Sequence, residues 1–377
     1  PPPPPPHPPP PPPPHPPPPP PPPRPLHPTF YTDPPTTEIY TRLDSSAASD
    51  VYKRQGYVYV LRNDGTVYVC DRATNGWTRY GQGTPAIPTN TAYLDMAAAG
   101  EGLEGYVYVL NAAGAVYVAD SAVTGWTRYG QGTPALPSND PDYVAVASGD
   151  GTTRGSVYVM RRSGEVYVAT SATTGWTKYG QGTPALTATE GYIAMDAGTQ
   201  AHPGRAVVMR HDGSVFVADS AVTGWTRYGQ GTPSLPSGLG YTGVCLGADG
   251  LPGHVYLASE EGKAYLADRA VTGWTQYGQG TPTLPKVGGH SALTSDGSSI
   301  FLLSLNGTVH ETTDDGDSWT TFGSVSSATT GWKSICTGYD GRLYALRRDG
   351  VVRTCLLYTS PSPRDQRPNR VCRLLLE

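Results

Sequence analysis

The residues best suited to binding chemistry recur together in one short segment that the chain repeats five times. The copies read GWTRYGQGTPAIP, GWTRYGQGTPALP, GWTKYGQGTPALT, GWTRYGQGTPSLP and GWTQYGQGTPTLP. An aromatic ring and an amide recur in every copy, with a cation in all but the last, at Arg79, Tyr80, Gln82, Arg128, Tyr129, Gln131, Lys178, Tyr179, Gln181, Arg227, Tyr228, Gln230, Tyr277 and Gln279. Such groups suit a neutral sugar, which stacks on a ring and hydrogen-bonds to polar side chains.

Equivalent weak sites raise the affinity for a multivalent ligand, because the first contact creates a high effective concentration for the next. We therefore expect these residues to form ligand-binding loops that recognise carbohydrate. A second interpretation stays open: the Gly-x-Gly-Thr-Pro segment is a strand-to-strand connection that recent duplication has kept.

Catalytic chemistry has a weaker basis in the sequence. Hydrolysis of a glycosidic bond needs converging carboxylates, and an acidic sugar also needs clustered arginines. Arg79, Arg128 and Arg227 occupy the same place in successive repeats, so they must spread apart. The glutamates fall mostly in predicted turns and loops, at Glu101, Glu104, Glu165, Glu190, Glu260, Glu261 and Glu311. We expect no catalytic residues and no enzyme activity, and a glycoside hydrolase is the third functional hypothesis.

Metal and cofactor signatures are also missing from the sequence. The histidines between positions 202 and 310 show neither i, i+4 pairing nor an HExxH motif. The cysteines at positions 70, 245, 336 and 355 lie singly in predicted strands, so we expect them to pack as small apolar side chains. The GQG segment does not join a strand to a helix as a nucleotide-binding glycine loop does. We expect neither a metal nor a cofactor.

Regularly spaced tryptophans indicate the elements that must position the repeated residues. The intervals are 49, 50, 49, 49 and 45 residues between Trp77, Trp126, Trp176, Trp225, Trp274 and Trp319. Between them apolar residues alternate with the period of two that is typical of strands. Repeats of this length built from short strands predict the blades of a β-propeller.

Each repeat contains four predicted strands, A to D, which in the second repeat are residues 93–99, 106–111, 115–120 and 125–130. The B–C turns carry glycine, as tight hairpins with positive φ favour. Residues 56–85 provide strands B to D of a first blade, five complete blades follow, and residues 332–355 provide strands A to C of a last one. The count favours an all-β propeller of seven blades, with six as the alternative. In this order the D–A and B–C connections share one face, where we expect the GQGTP copies to lie.

One blade carries a recognisable turn motif. Residues 312–319 read TTDDGDSW, which resembles the Asp box S/T-x-D-x-G-x-S/T-W of sialidases and related BNR propellers. The resemblance implies a C–D hairpin in which Asp314 accepts backbone N–H bonds, on the face away from a catalytic site. Degenerate copies of that hairpin are expected at Asp71, Asp120, Asp219 and Asp268. The VYV of strand B and the TGW before strand D also resemble fungal propeller lectins and, more loosely, tachylectin or tectonin repeats, which implies glycan binding.

Both ends of the chain differ from the repeat array. Residues 1–26 are a proline-rich low-complexity segment, which suits only an extended polyproline helix. Residues 27–55 and the tail 356–377 resemble translated sequencing-adapter read-through, a resemblance carried by TTEIYT, SSAASDVYKRQ and LLYTSPSPRDQR. The proline tract then reads as a homopolymer artefact or as the stalk of an extracellular matrix protein. We expect residues 56–355 to form the propeller and the flanking segments to be unstructured.

Composition limits the partners. The net charge is −4 and only 15% of residues are charged, which excludes the basic surface of a nucleic-acid binder. No apolar run approaches the roughly 20 residues that span a bilayer as a helix. Scarce lysine and abundant Thr, Ser, Gly and Tyr favour an extracellular location. The sequence thus predicts a non-enzymatic binding propeller whose partner is a glycan or an extracellular protein, the latter in a protein-interaction or structural matrix role; it does not indicate the oligomeric state.

Overall fold

In the computed structural model, the described part of the 377-residue chain forms seven four-stranded sheets. It comprises residues 1, 31–32, 58–62, 64–70, 77–99, 103, 105–137, 142–149, 151–153, 155–186, 191–198, 202–246, 253–259, 261, 263–276, 290–295, 299–312, 320–324, 331–337, 342–347, 352–356 and 372–375. Within these ranges the single helical element is a 3-10 turn, Gly151–Thr153, and no helix is long and apolar enough to cross a bilayer.

Five blades are each formed by one continuous stretch of chain, in the order A, B, C, D. Blade 2 has Tyr93–Ala98, Val107–Asn111, Val116–Ala119 and Thr127–Arg128; blade 3 has Tyr143–Ser148, Val157–Arg161, Val166–Ala169 and Thr177–Lys178; blade 4 has Tyr192–Ala197, Ala206–Arg210, Val215–Ala218 and Thr226–Arg227. Blade 5 has Tyr241–Leu246, Val255–Ser259, Ala264–Ala267 and Thr275–Gln276, and blade 6 has His290–Ser295, Ile300–Ser304, Thr308–Thr312 and Thr320–Ser324. Each A strand contacts the A strand of the next blade, so the A strands surround the centre.

The first and last blades combine distant parts of the chain. Blade 1 contains Val58–Leu61, Val67–Cys70 and Thr78–Tyr80, and Cys372–Leu375 pairs in parallel with its B strand as the inner strand. Blade 7 contains Trp332–Thr337, Arg342–Arg347 and Val352–Leu356, and Tyr31–Thr32 pairs antiparallel with its C strand as the outer strand.

The prediction of an all-β propeller with seven blades is confirmed, and the six-blade alternative is wrong. The structure adds a fourth strand to the first and last blades, where the sequence indicated three. An open sheet edge exposes unpaired N–H and C=O groups, and a short strand from a flanking segment satisfies them. The domain boundaries at 26, 55 and 355 and the adapter origin of the flanking segments stay predictions.

The repeated alternation of apolar residues buries both faces of each sheet. In blade 2, Tyr108 and Leu110 point to one side and Val107 and Val109 to the other, yet all four are at most 1% exposed. Each sheet is covered on both sides by a neighbouring sheet, so alternation here separates two buried faces rather than a core face from a solvent face.

A contact between an aromatic pair and a glycine joins each blade to the next. Tyr129 of blade 2 lies edge-on to Trp176 of blade 3, with ring centroids 6.4 Å apart. Gly130 follows with a φ of 66°, and a Cβ at that position would overlap the Trp176 indole. The same arrangement recurs at Tyr80 with Trp126 and at Tyr179 with Trp225. Glycine is therefore required both for its backbone conformation and for the space it leaves.

Buried carboxylates connect the inner strands. Asp95 of blade 2 is fully buried, and its Oδ2 accepts the N–H of Val146 in blade 3 at 2.7 Å. Asp196 of blade 4 accepts the N–H of Leu246 in blade 5 at 2.9 Å. The inner strand of a blade has no further strand to pair with at its free edge. A carboxylate from the neighbouring blade therefore accepts a buried backbone N–H that would otherwise have no hydrogen-bond partner.

One buried histidine makes blade 6 sensitive to acid. His310 lies in the C strand and is 3% exposed, and burial lowers the pKa of its imidazole from 6.5 to about 4. Between these values the unfolded chain binds a proton that the folded chain excludes. Stability is therefore complete above pH 6.5 and decreases as the pH falls toward 4.

We expect Gly130→Ala to lower the free energy of unfolding by about 3 kcal/mol, because it combines a strained φ with overlap of the indole. Gly238→Ala is the matched control, since Gly238 has a φ of 82° but open space around its Cα, and it should lose only about 1 kcal/mol. Urea unfolding followed by tryptophan fluorescence measures both. Equal losses in the two variants would contradict the packing role of Gly130.

We expect the wild-type protein to lose roughly 3 kcal/mol more than His310→Gln when the pH falls from 7.5 to 4. The glutamine variant retains a polar side chain but has no group that ionises in this range. Urea titrations give the free energy of unfolding of both proteins at each pH. Subtracting one protein from the other cancels the contribution of the carboxylates, which the two proteins share. A difference that stays constant with pH would show that His310 does not cause the sensitivity.

Candidate functional site

Four of the five tyrosines in the predicted binding loops bond to the neighbouring blade. Tyr80, Tyr129 and Tyr179 are between 4% and 6% exposed, and Tyr228 is half-buried. The hydroxyls of the first three donate to the carbonyl oxygens of glycines in the A–B loop of the next blade, and Tyr228 donates to the equivalent carbonyl at 2.7 Å; the acceptors are Gly105, Gly155, Gly204 and Gly253.

The prediction that these four rings stack on a sugar is therefore wrong, because their faces are used for packing between blades. Burial raises the pKa of Tyr129 to about 12, so its phenol stays a neutral donor over the whole physiological range. The same cause raises the pKa of Tyr228. Tyr277 and Gln279 of the fifth copy lie outside the described residues.

The glutamines hold their loops in shape. Each of the four described glutamines is exposed, but its Nε2 donates to the backbone carbonyl three residues earlier at 2.8–2.9 Å: Gln82 to Arg79, Gln131 to Arg128, Gln181 to Lys178 and Gln230 to Arg227. The amide nitrogen thus closes a local turn and is already engaged within the chain.

The GQGTP segment connects two blades along their outer edge. The N–H groups of Gln82 and Gly83 donate to Ala122 and Thr124 in the C–D turn of the next blade, each at 2.9 Å, and Trp126 donates to the carbonyl of Pro85 at 2.7 Å. The expectation that this segment rings the face of the B–C hairpins is wrong. Its N–H groups need acceptors, and the neighbouring C–D turn provides them.

The inner half of the same connection does reach the B–C hairpins. The ring of Tyr93, the first residue of strand A in blade 2, lies against Gly65 in the B–C hairpin of blade 1. Its hydroxyl donates to Pro88 at 2.8 Å. The D–A connection therefore begins at the outer edge with GQGTP and ends beside the hairpins with its last residues.

The cations of the predicted site remain available to a ligand. Arg79, Arg128, Lys178 and Arg227 are all exposed. Lys178 pairs with Glu165 of the same blade at 2.9 Å. Among the described residues of the predicted site, the structure therefore leaves the four cations and the four glutamines on the surface, and the glutamine amide nitrogens and Lys178 bond within their own blades.

Exposed apolar residues at the C–D turns were missed by the sequence reasoning. We call residues 121–124, 171–174, 220–223 and 269–272 the outer turns. Val123, Val222 and Val271 occupy the same place in three of them and are 77–80% exposed, and Thr173 takes that place in the remaining one. The recurrence of AVTG before Trp126, Trp225 and Trp274 was the available signal, but the sequence did not show which turn positions face solvent.

Threonine hydroxyls organise the outer turns. Thr124 Oγ1 accepts the N–H of Ser121 at 3.1 Å, and the same bond recurs at Thr174, Thr223 and Thr272. These turns were predicted as degenerate Asp boxes with an aspartate as the acceptor. Asp219 instead pairs with Arg205 at 2.6 Å. Asp71, and residues 313–319 of the Asp box itself, including Asp314, lie outside the described residues.

A charged cluster on blade 3 was also missed. Glu165 accepts a bond from Arg161 at 2.6 Å, one from Lys178 at 2.9 Å and one from the Tyr167 hydroxyl at 3.2 Å. Bonds from Lys178 and Arg161 hold the pKa of this carboxyl below its usual value against the opposing effect of partial burial. Among the described residues no group of three or more His, Cys, Asp or Glu could hold a metal ion.

Comparison with known proteins identifies the architecture. No protein-family model and no curated protein matches this sequence. Among solved structures, the chain is similar to YCF48 bound to D1 peptide, with a TM-score of 0.61 and 12% identity over 88% of this chain and 95% of that one. It is also similar to YCF48 from Cyanidioschyzon merolae (TM-score 0.60, 12% identity, 88% and 99% covered) and to a streptogramin B lyase (0.52, 15%, 86% and 97%).

A GH74 enzyme from Niastella koreensis is similar as well, with a TM-score of 0.51 and 15% identity over 85% of this chain and 44% of that one. At these identities the similarity shows the fold alone. The described chain shares the propeller architecture with proteins that have different functions.

We expect Tyr129→Phe to lower the free energy of unfolding by about 1 kcal/mol, because the Gly155 carbonyl loses its donor. Tyr68→Phe is the control, since Tyr68 is half-buried and its hydroxyl makes no hydrogen bond within the described residues. Thermal unfolding measured side by side gives the comparison. An unchanged midpoint for Tyr129→Phe would contradict the structural role of its hydroxyl.

Proposed function

We propose that this propeller is a non-enzymatic binding protein whose partner is an extracellular protein or peptide. The observation that carries the proposal is the set of valines on the outer turns, which are 77–80% exposed at equivalent positions. Exposed prolines of the preceding GQGTP segment lie next to them, because Trp126 bonds to Pro85 directly after the turn that holds Val123. Each exposed valine therefore adjoins an exposed proline, and equivalent apolar contacts on successive blades would let a partner protein gain affinity from several weak contacts.

Exposed cations lie near the valines of the outer turns. Arg128 and Arg227 are exposed in the outer strands that follow the outer turns 121–124 and 220–223. Arg79 is exposed two residues before Gly81, whose N–H donates to Ser121 of an outer turn. Arginine beside apolar residues is enriched at protein interfaces, where its guanidinium bonds to carboxylates and carbonyls. The solved structure titled YCF48 bound to D1 peptide supports the proposal in one respect: a propeller of similar fold holds a peptide.

Carbohydrate recognition is the second candidate. It is favoured by the exposed cations and by the number of equivalent loops, and it is weakened by the burial of the tyrosine rings that would stack on a sugar. Glycoside hydrolysis is the third. The similar structures include enzymes as well as YCF48, so the fold does not separate these alternatives.

We propose an extracellular location on composition alone. The sequence is rich in Thr, Ser, Gly and Tyr and poor in lysine. A secreted propeller with equivalent exposed valines on several outer turns can bind several copies of a motif on one partner. Its overall affinity then exceeds that of each weak contact.

We expect peptides selected by phage display on the immobilised full chain to lose at least tenfold in affinity for the variant V123S/V222S/V271S. Thr173→Val is the matched gain-of-function variant, because it completes the set of valines, and it should bind at least as tightly as the wild type. Melting temperatures should stay unchanged, since the three valines are largely exposed. Fluorescence anisotropy measures the affinities.

A glycan array and fluorogenic glycosides test the other two candidates on the same protein. Bright glycan spots without selected peptides would overturn the proposal in favour of carbohydrate recognition. Turnover of a glycoside would overturn the absence of enzyme activity. If the selected peptides bind the triple variant as tightly as the wild type, the outer turns are not the binding surface and that part of the proposal is wrong.

A further inference from the structure

In blade 3, the carboxylate of Glu165 lies between two cationic side chains of the same blade. Arg161 ends strand B and Lys178 lies in strand D, and the carboxylate between them accepts bonds from both at 2.6 and 2.9 Å. The register explains the convergence: the Arg161 N–H bonds to the Glu165 carbonyl, and Lys178 is opposite Tyr167, two residues further along strand C. All four side chains therefore project from one face of the sheet.

Blade 4 has the same backbone but a different residue at the centre. Arg210 occupies the position of Arg161 and its N–H bonds to the carbonyl of Ser214, and Arg227 lies opposite Phe216. Ser214 therefore stands where blade 3 has Glu165. Two arginines flank a position at which the chain supplies no carboxylate.

Blade 1 repeats the arrangement of blade 4. Arg62 bonds through its N–H to the Thr66 carbonyl, and Arg79 lies opposite Tyr68. Blades 2 and 5 lack it, because their corresponding first positions are Asn111 and Ser259. Within the described residues, only blades 1 and 4 combine two arginines with a hydroxyl residue between them.

The nearest acids lie at the hairpin tips, two residues before the position that Glu165 occupies in blade 3, and pair with the first arginine of each site. Against the effect of burial, bonds from Ser214 and the charges of Arg210 and Arg227 lower the pKa of Asp212. Asp212 sits at the tip of the blade 4 hairpin with its side chain 53% exposed, and its Oδ2 lies 3.4 Å from Arg210. Its Oδ1 accepts the Ser214 N–H at 2.9 Å, which holds it in the hairpin. Asp64 has the same geometry in blade 1, 3.4 Å from Arg62.

We propose that the arginine pairs Arg62 with Arg79 and Arg210 with Arg227 are two binding sites for carboxylate side chains of an acidic peptide segment in the protein partner. The ligand carboxylate takes the place that Glu165 occupies in blade 3, with one oxygen toward each arginine. Charge-assisted bonds of this kind are the stronger hydrogen bonds of proteins, and a guanidinium matches the geometry of a carboxylate.

This inference rests on the proposed function and identifies the chemistry of the partner. Aromatic residues adjoin the blade 4 site, since the Arg210 guanidinium lies 5.8 Å from the Tyr192 ring centroid and that ring contacts Phe216. Tyr192 is fully buried, so the half-buried Phe216 provides the ring surface, beside which the short aliphatic part of a glutamate or aspartate side chain can pack.

The test inserts the missing carboxylate into the protein itself. We expect the fluorescein-labelled peptide GSEEEEGS to bind the full chain with two equivalents and the matched peptide GSQQQQGS at least tenfold more weakly. Ser214→Glu should reduce the stoichiometry from two to one, and the double variant T66E/S214E should lose at least tenfold in affinity. The reciprocal variant Glu165→Ser should open a third site.

Thr89→Glu with Ser234→Glu is the control, because it changes the net charge equally at two exposed loop positions. It should leave both stoichiometry and affinity within twofold of the wild type. Equal binding of GSEEEEGS to wild type and T66E/S214E, while the valine triple variant still loses its selected peptides, would overturn this inference and leave the proposed function standing. Binding of oligomeric sialic acid in preference to GSEEEEGS would overturn the choice of an acidic peptide.

Discussion

The structure depends on the contact between the tyrosine and glycine that end one blade and the tryptophan that begins the outer strand of the next. At Tyr129, Gly130 and Trp176 this contact joins ring packing, a close approach that only glycine permits, and a hydroxyl bond to the carbonyl of Gly155. Each blade has two apolar faces and no core of its own. Stability therefore resides in the interfaces between neighbours, as in other repeat proteins.

The same contact decides which residues remain for binding. An aromatic ring cannot cover a neighbouring indole and a sugar at the same time, so Tyr80, Tyr129 and Tyr179 are committed to the fold. The glutamines are similarly committed, because their amides close the turns that carry GQGTP to the next blade. The exposed valines, prolines and cations do not take part in the blade contacts described above. These residues are the basis of the proposed protein-binding role.

Divergence within the repeat is as informative as its constancy. Positions at the blade contacts barely vary, whereas the hairpin position of Glu165 is Thr66 in blade 1, Ala115 in blade 2 and Ser214 in blade 4. The register places these residues at equivalent positions on the sheet face. A single substitution at this position therefore adds or removes the carboxylate between the two flanking side chains. A duplicated scaffold can thus carry different surface chemistry on each blade without altering its packing.

The sequence by itself determined the fold class, the blade count and most strands, because tryptophan spacing, period-two alternation and hairpin glycines are local signals. Short outer strands such as Thr127–Arg128 were overestimated in length, since twist and blade packing end them. Only the tertiary structure decided which repeated residues face solvent, that Cys372–Leu375 and Tyr31–Thr32 complete two sheets, and that Arg210 and Arg227 lie on the same face of blade 4. These outcomes depend on contacts between residues far apart in the chain, and burial on both faces of a sheet leaves no signature in the alternation of any one strand.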